Sequence, residues 1–247
     1  MTGANTPQQQ QNESPPARGT RSTPGDAVAA DQRRRLLAAL PCAVAEKGFD
    51  QTTVEDIVSL AQVRRSSFYE QFADKRECFA MAYEIGQERL LGVLTYRCYT
   101  RSGPVERVGA ALKAGLDLLA AEPGLAHLTI VEAPCAGEAI ATRHQEWLDR
   151  YGRLLQLAVV GTPEATKPRP ALEPAIVGAI VSRVKQIVLA GEAHDLPSLQ
   201  PELTQLTLSF FDLAEPSTAA LSSSGQREGV DPGQPQSPER STVLEAA

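Results

Sequence analysis

What this chain of 247 residues has little of narrows its chemistry first. Its four cysteines, Cys42, Cys78, Cys98 and Cys135, form no CxxC pair and have no companion histidines at metal-ligand spacing. They read as packing residues, against the alternative of a zinc or redox-sensing centre. The three histidines lie far apart in sequence, and no GxSxG, P-loop, HExxH or strand-borne GxGxxG is present. The expectation is therefore a protein that is not an enzyme and needs neither cofactor nor metal. No run of about 18 apolar residues occurs, and the N-terminus lacks a charged start followed by an apolar core, so neither a membrane span nor a signal peptide is expected. That predicts a cytoplasmic protein with no membrane partner. No segment alternates as a strand, which leaves an all-α chain.

What is present is unevenly distributed. Residues 1–26 and 215–247 are rich in Gln, Pro, Ser, Thr and Gly and cannot bury enough apolar surface to order themselves, so both are expected as disordered tails. Hydrophobic residues make up 42% of the chain, ample for a core between those tails. The formal charge of -6 argues against a nonspecific nucleic-acid coat and for a basic surface confined to one patch.

Residues 48–79, GFDQTTVEDIVSLAQVRRSSFYEQFADKRECF, carry most of the functional signal. Gly48 follows an apolar-periodic stretch (Leu36, Leu37, Leu40, Val44) and suits the left-handed close of a helix. Thr52 or Thr53 can cap the next helix, with Glu55 and Asp56 in its first turn, where the helix dipole favours carboxylates. Val54, Ile57, Val58 and Ala61 form its inner face. Gln62–Arg64 is too short for a flexible loop, so the following helix must cross steeply, with Val63 plugging the corner: a helix-turn-helix. In the second helix Phe68 and Phe72 hold one face, and polar residues lie outward. Because the start of such a helix meets base edges in the major groove, Arg64, Arg65, Ser66 and Ser67 are the candidate base readers. Thr52, Thr53, Tyr69 and Lys75 stand at helix starts or edges, where phosphate contacts fix docking register. Arg33, Arg34 and Arg35 either reach phosphate or the minor groove as a basic arm or form a solvated helix start.

The segment resembles the N-terminal domain of TetR-family transcriptional regulators. Gly48 and Phe49 after the first helix, Thr53, Val63, the Phe68–Tyr69 pair, Phe72 and Lys75 fall where that family's pattern has them, over roughly residues 31–80. Pro41 inside the first helix, Gln62 at a position often held by glycine, and Ser66 where a small glycine or alanine is usual depart from it. Pro41 is expected to kink its helix locally. Residues 31–76 hold eight Lys or Arg against seven Asp or Glu, so docking depends on where charges sit.

The resemblance implies a helix-turn-helix DNA-binding domain at 27–76 and a helical effector-binding and dimerisation domain at 77–214. One long helix is predicted over 75–99 as the link, with body helices at 104–121, 124–132, 137–160, 171–192 and 199–214 between Pro and Gly punctuation. The stripes Ile176, Ile180, Val184, Val188 and Leu203, Leu206, Phe210, Leu213 are candidates for a homodimer interface, the alternative being internal core. A dimer also suits a palindromic double-stranded operator read in successive major grooves about 34 Å apart. For an unknown small-molecule effector the candidates are Asp117, His127, Thr129, Glu132, His144, Trp147 and Tyr151, with Leu116, Leu119, Leu128 and Leu155 as apolar lining. Trp147 and Tyr151, four apart, form either an aromatic pocket wall or a packing seam. The function implied is a sequence-specific regulator, a repressor released by an effector. A non-enzymatic helical adaptor that keeps the helix-turn-helix scaffold is the alternative.

Overall fold

The computed structural model describes residues 24–160 and 172–211, which belong to one compact unit. The expected tails, apart from residues 24–26, lie outside the described residues, as do Leu213 and the punctuation at Gly161, Pro163, Pro168 and Pro170. Nine α-helices and no strand occur among the described residues: α1 Pro24–Gln51, α2 Val54–Ala61, α3 Arg65–Gln71, α4 Lys75–Tyr99, α5 Pro104–Ala121, α6 Pro123–Ala126, α7 Glu138–Ala158, α8 Leu172–Leu189 and α9 Gln200–Ser209. Residues 24–26, expected in the tail, open α1.

The helix-turn-helix forms where its local signals point. Leu36, Leu40, Ala43 and Val44 of α1, Ile57, Val58 and Ala61 of α2, and Phe68 and Phe72 of α3 share one core with Cys78, Phe79 and Tyr83 of α4. Phe49 packs edge-on against Phe79, with ring centroids 4.6 Å apart. Within α1 the backbone leaves helical dihedrals at Gly48 (φ 78°, ψ 163°), not at Pro41. The positive φ is the one expected of this glycine, but ψ is extended instead of left-handed helical, which turns the chain sharply toward Thr53.

The body departs from expectation in the kind of helix more than in its place. α4 and α5 run as predicted. Only the first turn of the 124–132 segment is α-helical: His127–Glu132 winds as a π-helix and Ala133–Cys135 as a 3-10 turn. The predicted 199–214 helix is a 3-10 segment, Ala193–Leu199, followed by the shorter α9. Two glycines explain how the α6 segment wedges between α1 and α4. A Cβ on Gly124 would lie 3.0 Å from the carbonyl carbon of Pro41, and one on Gly86 would lie 2.6 Å from Leu125 Cδ1. At Gly124 the close atoms are backbone, so a side chain there would push the segments apart, whereas at Gly86 the Leu125 side chain could shift to make room.

The proposed dimer stripes are mostly core. Ile176, Val184, Val188 and Leu203 are buried inside one chain, and Ile180 and Leu206 are partly covered. α7, the π-helical segment and the 3-10 segment pack over the inner face of α8, which buries Ile176, Val184 and Val188 within this chain. On the last helix the inward register is Leu203, Thr207, Leu208 and Phe211, so Phe210 points the other way, more than a third exposed. The outward face of α8 instead carries the exposed small residues Ala175, Gly178, Ala179 and Ser182.

Candidate nucleic-acid interface and effector cavity

The helix-turn-helix is built from caps and clamps that fix α3. Thr53 caps α2 through a reciprocal pair: its hydroxyl accepts from the Asp56 amide (3.2 Å), and Asp56 Oδ2 accepts from the Thr53 amide (2.8 Å). Lys47, which donates to Asp56 at 2.7 Å, and then Thr53 hold the Asp56 carboxyl well below the usual carboxylate range. Gln62 turns the corner with φ 54° and ψ 46°, left-handed for a residue with a side chain. Its carbonyl accepts from Arg35 Nη2 at 2.8 Å, and Val63 N–H returns to the Val58 carbonyl at 3.0 Å. At the other end of α3, Arg33 donates to the Gln71 carbonyl at 3.0 Å and sits over the Phe72 ring at 4.6 Å.

These contacts sort the candidate DNA residues. Arg64, Arg65, Ser66 and Tyr69 share the exposed side of α3, with Arg65 above the Tyr69 ring and 3.9 Å from Glu55. Their hydrogen-bonding heads face solvent, as groove contact requires. Ser67 does not join them: at 7% exposure it turns inward beside Phe68. Thr52 is 1% exposed and spends its hydroxyl on the Ala43 and Gly48 carbonyls, while Thr53 takes the capping role.

Lys75 is also committed. Its ammonium donates to the Phe49 and Thr52 carbonyls at 2.7 Å and the Asp50 carbonyl at 3.3 Å, with the Phe49 ring 4.4 Å away. It clamps the turn between α1 and α2 instead of offering its charge outward. Arg33 and Arg35 likewise brace α3 and its turn and are not a free arm. Arg34, largely exposed and paired with Asp31 one turn earlier, is the member of the trio that faces solvent.

The body holds a cavity of about 140 Å³ between α4, α5, α7 and α8, with Leu90, Leu112, Leu116, Leu119, Tyr151, Leu155, Val177 and Val181 among its lining. The pocket is apolar and partly open to solvent. Of the effector candidates, Tyr151 faces it, as do Leu116, Leu119 and Leu155 of the expected lining. The others lie elsewhere. Asp117 is exposed and paired with Lys113, Thr129 is buried and donates to the Leu125 carbonyl, and Leu128 is in the helix-turn-helix core. His127 leaves Nδ1 buried without a partner but does not line the cavity. Trp147 donates from Nε1 to Glu84 at 3.1 Å under Arg150, which is the packing-seam reading. Asp117 and Thr129 are spent on partners in their own segment and Trp147 on α4, so the cavity is left largely to aliphatic side chains.

Two of the displaced candidates connect the body to the helix-turn-helix. Glu132, at the end of the π-helical turn, accepts the Phe49 amide at 2.9 Å, while Ile130 two residues earlier lines the cavity. His144 ends a buried hydrogen-bond chain: Tyr151 donates to Gln87 Oε1, Gln87 Nε2 donates to Tyr83 Oη at 3.0 Å, and Tyr83 faces His144 Nδ1 at 3.0 Å. With Gln87 supplying the proton at Tyr83 Oη, the tyrosine proton goes to Nδ1, which fixes a neutral imidazole. Burial and then the charge of Lys185 hold His144 below the usual imidazole range, in agreement. Burial also pushes both tyrosine hydroxyls upward, so each stays protonated.

Residues 42–82, which contain this helix-turn-helix, match the family model described as bacterial regulatory proteins, tetR family. The helix-turn-helix segment of this chain is similar to the DNA-binding domain of that family. Solved structures carry the same fold. The fatty acid degradation regulator FadR from Bacillus halodurans aligns with TM-score 0.63 at 21% identity, over 72% of this chain and 94% of that one. FadR from Bacillus subtilis, solved in complex with stearoyl-CoA, aligns with TM-score 0.61 at 18% identity, over 71% and 97%. SmeT, the repressor of the Stenotrophomonas maltophilia multidrug efflux pump SmeDEF, aligns with TM-score 0.56 at 20% identity, over 76% and 96%. No curated protein matches the sequence.

The residues that sequence reading missed are Glu84 and Gln87 on α4, which receive the polar groups of α7, and Val177 and Val181 on α8. Gln87 had a signal: a polar residue four positions after Tyr83 continues an inward face of α4. Among the described residues no cluster of His, Cys, Asp and Glu is arranged to hold a metal ion, and no single helix is long and apolar enough to cross a membrane.

Proposed function

We propose that this regulator works in the cytoplasm as a homodimeric repressor that leaves a palindromic operator when a small hydrophobic effector enters the body cavity. Residues 27–76 read DNA, with Arg64, Arg65 and Ser66 at base edges and Tyr69 and Arg34 on phosphate, while 77–214 hold effector and partner. The observation that carries this reading is the joint presence of an exposed polar face on a braced α3 and an apolar cavity whose wall, at Ile130 and Tyr151, is tied to the DNA-binding end through Glu132 and α4. The stearoyl-CoA bound to the Bacillus subtilis neighbour supports a hydrophobic effector. Exposed Leu189 and the small residues on the outer face of α8 support pairing there, since small side chains let two helices approach closely.

The mechanism is a population shift. An effector that fits the cavity in only one arrangement of α4, α7 and the π-helical turn favours that arrangement, and the two recognition helices no longer match the groove spacing. The test is fluorescence anisotropy with duplex DNA from upstream of the protein's own gene, competed with scrambled duplex. Saturable binding that resists the competitor and falls at least tenfold in Arg65→Ala supports the proposal. Equal binding to both duplexes, or none, removes it.

A further inference from the structure

The cavity wall holds two polar side chains, and both are already bonded. The Thr207 hydroxyl donates to the Leu203 carbonyl at 2.7 Å, and the Tyr151 hydroxyl donates to Gln87. Among the described residues no Lys, Arg, His, Asp or Glu faces the space. A carboxylate, phosphate or ammonium placed against this wall would lose hydration and meet no opposite charge among the described residues, so the wall disfavours ionised groups. Size narrows the occupant further. At about 140 Å³ the space is close to the engineered aliphatic cavity of about 150 Å³ that stays dry and takes up benzene.

We infer that this site, as the effector site of the proposed function, takes a compact uncharged hydrophobic molecule. It is a single aromatic ring or an aliphatic group of comparable size, with at most one hydrogen-bonding atom. That atom is met by Tyr151, whose hydroxyl, alone among the described residues of the wall, bonds to another side chain instead of its own helix. A ligand hydroxyl or carbonyl there competes with Gln87 for the tyrosine proton and loosens the first link of the chain that joins α7 to α4. Charged isosteres of the same shape bind more weakly than the neutral ring, which fills the apolar depth of the pocket.

The test is a thermal melt of the full chain with toluene, benzyl alcohol, benzoate, benzylamine and stearoyl-CoA, each titrated to saturation or its solubility limit. Toluene and benzyl alcohol raise Tm by a few degrees, as expected for a ligand held only by the folded state, and the two charged rings shift it less. Ala111→Leu and Ala158→Leu, which grow side chains into the cavity from α5 and α7, each remove the toluene shift, with far-UV circular dichroism as the check that they fold. Tyr151→Phe narrows the difference between benzyl alcohol and toluene. Binding of benzoate or stearoyl-CoA in place of toluene overturns the inference, as does a toluene shift that survives in both filled variants. Anisotropy on operator DNA runs alongside. If toluene binds but DNA affinity is unmoved, the ligand class stands and the effector mechanism falls.

Discussion

Replacing Lys75 by methionine separates two roles that the same lysine could play. If it is a clamp, Lys75→Met removes two short charge-assisted bonds, to Phe49 and Thr52 at 2.7 Å, and a weaker one to Asp50 at 3.3 Å, while the methionine keeps the apolar stem in place. Hydrogen bonds to charged groups contribute about 1.5–3 kcal/mol each. Because Lys75 is only half-buried, the low end applies, and water can reach part of the vacated carbonyls. The net loss is about 2 kcal/mol. For a chain of this size that lowers Tm by about 4–8 °C. A phosphate contact behaves differently: losing it leaves Tm alone and flattens the dependence of log affinity on log salt by about 0.9 per protomer. The assay is therefore a melt of the variant beside anisotropy over a salt series. The structure predicts a lower Tm, weaker DNA binding and an unchanged salt slope. An unchanged Tm with a slope reduced by about 0.9 would refute the clamp.

Three further outcomes follow from particular residues. Gln62→Gly relieves a left-handed backbone that costs a residue with a side chain about 1 kcal/mol, so the variant should match or exceed wild-type stability in urea melts; a loss of more than 1 kcal/mol would show that the Gln62 side chain holds the turn. Because the folded-state pKa of His144 is depressed, its stabilising contribution is present above the unfolded value near 6.5 and is lost as pH falls through the folded one, so Tm should decline below about pH 6.5. His144→Gln, which can still accept from Tyr83, should reduce that decline, and an identical pH profile in the variant would disprove the assignment. Ala179→Glu places charge on the outer face of α8 without touching the core and should convert a dimer to monomers in sedimentation equilibrium; an unchanged mass would move the interface elsewhere.

Local signals carried the helix-turn-helix because each of its determinants acts within a few residues. Gly48 supplies the positive φ, Thr53 with Asp56 supplies the capping box, and the spacing of Phe68 and Phe72 decides which side of α3 is covered. Tyr69 and the two arginines then follow on the outside. The all-helical class and the span of α4 were legible for the same reason. Gln62 was legible only as a departure, since a sequence shows the residue and not the left-handed turn it enters.

The amino-acid sequence by itself determined where helices start and stop around the DNA-binding face and that Arg65 and Tyr69 lie on the outside of α3, since caps, turns and apolar spacing are short-range, while the inward turn of Ser67 came from packing. Only the tertiary structure decided what the remaining polar and apolar groups do. Lys75, Arg33 and Arg35 look free in a linear reading and are bound because carbonyls 23 to 38 residues away are folded beneath them. Tyr151 and His144 look like independent ligand candidates and are opposite ends of one chain through Tyr83 and Gln87 on another helix. The stripes on α8 and α9 could be core or interface until their neighbours were known. An apolar periodicity states that a face will be covered, and long-range packing chooses the cover.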